Sequence, residues 1–290
     1  MDEGDRCMKL FCFGFGFSAQ ALARKLSGRA EHVTGTHTGP HGSPGRGITL
    51  LTYRGDGARP EIREALHDAT HVLVSIPPDL EGDVVLRQHG ADLAAAPSVA
   101  WIGYLSTVGV YGDAKGAWVD ETHPTKPTSE RSLRRIHAET AWLNFAEESG
   151  KRVEIFRLSG IYGPGRSVID NLRAGTARRI IKHNQVFNRI HVDDIARVLA
   201  KAIDTPTQHR IYNVTDDEPA PPEDVVVYAA QLLGMEPPPA IPFEDAHLTG
   251  MAASFWAESK RIRNDRIRRD LGAELLYPTY REGLRAILTA

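Results

Sequence analysis

Near its N-terminus the chain passes from a short apolar run at 10–13, through Gly14-Phe15-Gly16-Phe17-Ser18-Ala19, into a helix-favouring stretch at 18–26. Few folds accommodate that junction. In a G-x-G-x-x-A pattern between strand and helix, the first glycine makes the tight turn and the second brings bare backbone close to a ligand. The small sixth residue seats the helix against the strand. The free N–H groups and partial positive charge of such a helix start suit phosphate oxygens. Gly14, Gly16, Phe17, Ser18 and Ala19 are therefore candidate pyrophosphate contacts. A tight turn without a ligand is the competing reading, and the position after a first strand and before a first helix weighs against it.

The alternation continues. Strand-like runs fall at 32–36, 48–53, 71–76, 99–105, 153–158 and 210–214, with long helices at 83–95 and 129–149. Strands alternating with helices predict an α/β fold, a Rossmann-like doubly wound parallel sheet. Between the second and third strands, 35–47 holds five glycines and two prolines, so a loop is expected in place of a crossover helix. After residue 215, prolines at 219, 221, 222, 237–239 and 242 punctuate the helices. That shift predicts a core over 1–165 and a small C-terminal cap over 166–290, with 191–215 returning to the core. Helix is expected over 259–271, where an arginine comb alternates with acids, and again over 280–288.

The chain's 290 residues are 41% apolar and 25% charged, which excludes disordered and collagen-like classes. Its 35 basic and 37 acidic residues leave a net charge of −2, so no global field recruits nucleic acid or an anionic membrane. No apolar run approaches the roughly 20 residues that span a bilayer. Cys7 and Cys12 are too few for a disulfide framework and fit no metal-ligand spacing, so no metal site is expected. The acidic start and glycine-broken run differ from a signal peptide, and a cytoplasmic location is the expectation.

In dinucleotide-binding sheets, an acidic residue at the end of the second strand holds the adenosine ribose. Here Thr36, His37 and Thr38 stand there, and the next acid is Asp56, beyond the third strand. Thr36, His37 and Asp56 are the candidate contacts. Without a carboxylate to repel a 2′-phosphate, and with His37, His41 or Arg46 able to approach one, the cofactor expected is NADP, with NAD the alternative. Solvated loop residues are an equally good reading of these side chains.

From mid-chain onward the residues resemble the extended short-chain dehydrogenase/reductases, the NAD-dependent epimerase/dehydratase type. Leu105-Ser106-Thr107-Val108-Gly109-Val110-Tyr111-Gly112 is similar to that family's fifth strand, with Ser/Thr four residues before Tyr-Gly. Asp120-Glu121 with Pro124, the run RLSGIYGPGR at 157–166, Arg189-Ile190-His191-Val192-Asp193-Asp194 and Tyr212-Asn213-Val214 follow in the family's order. The resemblance implies a Tyr-x-x-x-Lys pair on the long helix: the tyrosine moves a proton, and the lysine lowers the tyrosine's pKa and holds the nicotinamide ribose. Counting from Thr107 and back from Glu139 puts that pair at Arg131 and Arg135. A guanidinium stays protonated, with a pKa above about 12, so neither arginine serves as a general acid or base near neutrality. Arg135 can still hold a ribose, and Arg131 can bind an anion or polarise an oxygen. The bland alternative makes Arg131, Arg135 and Glu139, at i, i+4 and i+8, a solvated salt-bridged face. The family's G-x-x-G-x-x-G also departs, its first glycine falling on Phe13. The resemblance is to the family's atypical branch.

Candidates for proton transfer are Tyr111, Tyr162 and His191, each with a structural reading: turn packing for the tyrosines, a helix cap for His191. The catalytic set implied is Thr107, Arg131, Arg135 and Tyr111. Two functions follow: an NAD(P)-dependent oxidoreductase or epimerase-like enzyme acting on a small carbonyl, hydroxyl or nucleotide-sugar substrate, or a nicotinamide-binding sensor or scaffold without turnover. The resemblance also implies a homodimer through the helices at 83–95 and 129–149, where Val84, Val85 and Leu86 precede a run of alanines.

Overall fold

The computed structural model describes residues 7–39 and 45–289. It opens with β1 (Met8–Phe13), α1 (Phe17–Lys25), β2 (Ala30–His37) and β3 (Ile48–Thr52). Next come α2 (Pro60–Asp68), β4 (His71–Val74), α3 (Val84–Ala95) and β5 (Trp101–Thr107). A short β6 (Trp118–Val119) precedes α4 (Glu130–Ser149), β7 (Val153–Leu158), β8 (Gly160–Tyr162), α5 (Val168–Arg173), β9 (Arg179–Ile181) and β10 (Arg189–His191). The chain ends with α6 (Val192–Asp204), β11 (Ile211–Val214), α7 (Pro222–Leu232), β12 (Ala240–Pro242), α8 (Gly250–Trp256), β13 (Arg261–Ile262), α9 (Asp265–Leu271) and α10 (Tyr280–Thr289).

Seven strands form one parallel sheet in the order β11-β7-β5-β4-β1-β2-β3. β1 pairs with β2 on one side and β4 on the other, so the strand order reverses beside the residues that follow Phe13. Open parallel sheets bind ligands outside the carboxyl ends of their strands at such a reversal. The Rossmann-like expectation holds. Among the described residues no helix joins β2 to β3, in line with the glycine-rich loop read from sequence.

The chain divides into two compact units. One comprises the chain up to Thr107 with Arg134–Arg157 and Ile195–Tyr212; the other takes Val108–Leu133, Leu158–Asp194 and everything from Asn213. Segments 108–133 and 158–165 thus lie in the second unit, and segment 195–212 lies in the first. The first unit's core gathers Phe11, Phe13, Val72, Val74, Ile102, Tyr104, Trp142 and Ile155. Val84 and Val85 are buried in that same core. Asp83 caps α3, its side chain accepting from Val85 N–H and Leu86 N–H at 3.0 Å each.

Two stretches differ from the sequence reading. The helix α2 is absent from the sequence expectation, although Pro60 at its start and Ile62 and Leu66 on its buried face give it a helix-start signal and an apolar stripe. Conversely, 259–264 is not helical: Arg261 and Ile262 pair with Trp118 and Val119, and helix begins only at Asp265. The arginine comb is largely ion-paired, with Arg266 meeting Glu121 at 3.7 Å and Arg268 meeting Asp217 at 2.6 Å. Among the described residues no helix is long and apolar enough to cross a membrane, and no group of three or more His, Cys, Asp or Glu converges to hold a metal.

The second unit has its own core of Ile169, Leu172, Val225, Ala229, Tyr280 and Leu284, and beside it lies an unusual carboxyl. Asp216 is 1% exposed, and among the described residues neither of its oxygens finds a hydrogen-bond donor of full geometry. The neighbouring Arg189 donates instead to the carbonyls of Phe187 and Ala220, at 3.0 and 3.4 Å. Burial pushes the Asp216 carboxyl well above its ordinary 3.8, against the opposing pull of Arg189 and the Glu218 N–H. In the window from 3.8 to that raised value the native chain holds a proton that the unfolded chain has released, so this group's contribution makes stability fall as pH rises. Asp216→Asn is expected to remove that fall, leaving the variant more stable than the parent near neutrality. Urea unfolding across pH 4–8 checks this, and a parent curve matching the variant's at every pH would count against it.

Candidate dinucleotide and active site

The glycine loop is built from behind. Gly14 has φ +86°, a left-handed conformation that L side chains rarely adopt, and a Cβ there would lie 2.6 Å from Ser75 Oγ. Its N–H donates to Thr36 Oγ1 at 2.8 Å, and Phe15 N–H donates to the Thr36 carbonyl at 2.7 Å. Ser75 Oγ donates to the Gly14 carbonyl at 2.7 Å. Thr36 is 1% exposed, with its hydroxyl turned to the loop, so it positions the loop from within the sheet. This differs from the ribose contact expected of its side chain.

Gly16 is the residue that caps α1, with extended backbone and no side-chain cap. A Cβ there would meet no atom within 4 Å. No acidic residue occupies the first turn of α1, so the positive end of the helix is left uncompensated by the chain. Phe17 and Ser18 open the helix, and Ala19, 0% exposed, packs it against the sheet. A bare, open helix start of this kind fits a dinucleotide pyrophosphate.

Beyond the loop, the end of β2 carries cationic and neutral groups. His37 borders a groove of about 880 Å³ lined also by Phe15, Gln20, Arg24, Arg46 and Ile48. Arg54, unremarked in the sequence, reaches across from the end of β3 and donates its Nε–H to the Thr38 carbonyl at 3.0 Å. Asp56 is exposed and committed to Arg59, with both of its oxygens 2.9 Å from Arg59 Nη2, and that guanidinium holds its carboxyl below the usual range. It is therefore occupied as an ion-pair partner. His41 lies outside the described residues.

At the end of β5, three side chains are locked together. Ser106 Oγ donates to Glu139 Oε1 at 2.5 Å, and Arg157 Nη2 donates to Glu139 Oε2 at 2.7 Å, with both charged side chains 5% exposed. Arg135, one helical turn before Glu139, donates through Nη1 to the Leu105 carbonyl at 2.8 Å and to Tyr104 Oη at 3.0 Å. The solvated salt-bridged face is thus overturned. Glu139 is spent inside the fold on Arg157, and Arg135 is half-buried against the strand that ends at Thr107. Among the described residues no carboxylate makes a direct ion pair with Arg135, although Asp83 is close enough to feel its charge.

The remaining candidates lie in the second unit. Arg131 is exposed, its guanidinium carbon 5.0 Å from the ring centre of Phe255. Tyr111 ends a turn at Val108–Tyr111, is 3% exposed, and donates its hydroxyl to Asn213 Oδ1 at 2.7 Å. The Tyr162 hydroxyl is buried, and burial raises its pKa. His191 takes the helix-cap role at the start of α6: its Nδ1 accepts from Asp193 N–H at 3.2 Å, and burial pulls its pKa down. Asp194 accepts the N–H groups of Leu276 and Tyr277, at 2.5 and 3.0 Å, which makes it a structural anchor.

Sheet order, glycine loop and the locked β5 end define a dinucleotide-binding α/β protein of the short-chain dehydrogenase/reductase type. Residues 88–215 match the model of the NAD-dependent epimerase/dehydratase family, and the chain belongs to that family. It is 31% identical to the protein YeeZ of Escherichia coli over 286 residues, covering 93% of this chain and 96% of that one. It is 27% identical over 250 residues to a 3-diazoavenalumate denitrifying reductase from a Streptomyces species, covering 78% and 79% of the two chains. A structure of a conserved protein of unknown function from Silicibacter pomeroyi superposes with a TM-score of 0.85 at 44% identity, over 97% of this chain and 98% of the other.

A Cβ at Gly16 meets no atom of the chain within 4 Å, but a branched side chain there would push phosphates off the helix start. Gly16→Val is therefore expected to abolish nicotinamide-nucleotide binding while leaving the far-ultraviolet circular dichroism unchanged. Calorimetry showing the parent's affinity in a folded variant would remove the loop from the site.

Proposed function

We propose that the protein is an NADP-preferring oxidoreductase acting on a small substrate, with Arg135 in the role of the family's lysine. The observation that carries this reading is the Arg135 guanidinium, anchored on Leu105 and Tyr104 at the end of β5 and paired with no carboxylate among the described residues. When bound, the nicotinamide supplies or takes up a hydride. Arg135 is positioned to donate N–H groups to the ribose hydroxyls. Thr107, the last residue of β5, is the group to hydrogen-bond the reacting oxygen. Arg131 remains protonated near neutrality and moves no proton. The proton is exchanged with water or carried by the substrate. That division of labour suits reduction better than epimerisation, which needs the proton returned to its donor, and the Streptomyces relative is itself named a reductase.

NADP preference is supported by the groups at the end of β2, where among the described residues no free carboxylate stands: His37 and Arg46 line one groove, whose acidic member Glu31 sits at the opposite end of the strand, and Arg54 reaches Thr38. A charge-assisted contact to a 2′-phosphate contributes about 1.5–3 kcal/mol, or roughly ten- to a hundredfold in affinity. NADPH should therefore bind at least about tenfold tighter than NADH, and Arg54→Ala should shrink that ratio while leaving NADH affinity unchanged. Equal affinities in the parent would sink the preference.

A second reading, a nicotinamide-binding sensor without turnover, is favoured by the commitments of the remaining tyrosines and histidine. Tyr111 is bonded to Asn213, and Tyr162 and His191 are buried. Anaerobic mixing with NADPH and a panel of carbonyl and nucleotide-sugar substrates separates the two readings. Nicotinamide oxidation above the protein-free rate rejects the sensor, whereas none across the panel, with NADPH bound, favours it.

A further inference from the structure

Tyr104 lies within β5, fully buried, with its ring 5.9 Å from that of Trp142 on α4. It belongs to the core of the first unit, with Phe13, Val74 and Ile102. A phenylalanine would serve that packing equally well, and a buried hydroxyl costs free energy unless it is hydrogen-bonded. Among the described residues the partner of this hydroxyl is Arg135, whose Nη1 donates to it at 3.0 Å.

Nη1 carries two hydrogens. The second goes to the Leu105 carbonyl at 2.8 Å, so consecutive residues of one strand fill that nitrogen. The guanidinium carbon stands 5.7 Å from the centre of the Tyr104 ring. Nε–H and the hydrogens of Nη2 meet no acceptor among the described residues. Burial pushes the pKa of the Tyr104 hydroxyl up, against the pull of Arg135, so the hydroxyl stays a neutral acceptor and leaves the charge of the guanidinium intact.

Arg135, Glu139 and Trp142 follow one another on α4 at intervals of four and three residues, and so share one face of the helix. Ser106 and Arg157 hold Glu139, and the ring of Tyr104 meets Trp142. Those contacts set the helix but not the tip of a long side chain. One hydrogen bond to a carbonyl leaves a guanidinium free to turn about that contact, and a second acceptor on the same nitrogen removes the turn.

We infer that Tyr104 is a positioning residue of the site: it takes one hydrogen of Arg135 Nη1 while the Leu105 carbonyl takes the other, and so aims Nη2 and Nε–H at the nicotinamide ribose. The inference rests on the reading of Arg135 as the residue that holds the ribose, and adds the group that sets its direction. Tyr104 itself touches neither cofactor nor substrate and moves no proton. A lysine has a single nitrogen for strand and ribose alike. Arginine divides the two tasks between nitrogens, and the tyrosine hydroxyl fixes the division.

The test has one arm without cofactor and one with it. In heteronuclear NMR spectra of the parent, Arg135 Nη1 should give two separate hydrogen signals, because rotation about its Cζ–Nη1 bond is restrained. In Tyr104→Phe, which keeps the ring against Trp142, the two should merge. By calorimetry Tyr104→Phe should weaken NADPH about three- to tenfold, and leave 2′,5′-ADP, which lacks the nicotinamide ribose, at the parent's affinity. In an Arg135→Ala background the same change should cost no further NADPH affinity. A single averaged signal in the parent would overturn the positioning role, and that arm decides alone if Tyr104→Phe fails to fold. Parent NADPH affinity in folded Tyr104→Phe where Arg135→Ala has lost it, equal weakening of 2′,5′-ADP, or an undiminished loss in the Arg135→Ala background would each overturn it as well. Signals that merge in Tyr104→Phe, with parent NADPH affinity in Arg135→Ala, would leave the guanidinium's anchoring standing and overturn the ribose reading alone.

Discussion

The buried pair of Glu139 and Arg157 is the interaction on which the candidate site depends. It joins α4 to β7, and through Ser106 to β5, with both charges 5% exposed. Two charges taken from water at that depth are costly, and only good geometry repays the loss. The geometry here is good: Arg157 approaches both oxygens of Glu139, and the Ser106 hydroxyl fills a further acceptor position. Replacing either partner alone would strand a charge, a loss of about 3–5 kcal/mol. With the pair in place, α4 has one rotational setting on the sheet. Arg135, four residues before Glu139, is then delivered to the Leu105 carbonyl beside Thr107.

On the proposed reading, that arrangement is how a site of this family would work with Arg131 and Arg135 at the tyrosine and lysine positions. The helix setting depends on Glu139, and the residue one turn earlier carries a fixed positive charge. Lysine and arginine differ in reach and in donor geometry, and the planar fork of Arg135 spends one nitrogen on the strand end while keeping other donors. The proton function is a different matter. No guanidinium performs it, and the hydroxyl of Tyr111 is already given to Asn213.

Much of the first unit was legible in the chain. The Gly14–Ala19 junction, the strand alternation and the loop between the second and third strands each carry local signals, and local signals fix local structure. The site's supports were less legible because they are contacts between distant residues. Thr36 looked like a ribose ligand, but its hydroxyl serves Gly14, 22 residues away. Spacing made Glu139 the third member of a surface stripe, and only Arg157, 18 residues on, shows that it faces inward. Arg54 carried no signal until β3 set it beside Thr38. The arginine comb misled in the opposite sense, since its charge pattern suits a helix while Arg261 and Ile262 pair with β6.

The central claim is that Arg135 holds the nicotinamide ribose in place of a lysine. A crystal structure with NADPH tests it most directly. The account predicts an Arg135 nitrogen within hydrogen-bonding distance, about 3 Å, of a nicotinamide ribose hydroxyl, with the pyrophosphate at Gly16. A ribose bound with no contact to Arg135, its guanidinium still confined to Tyr104 and Leu105, would contradict it.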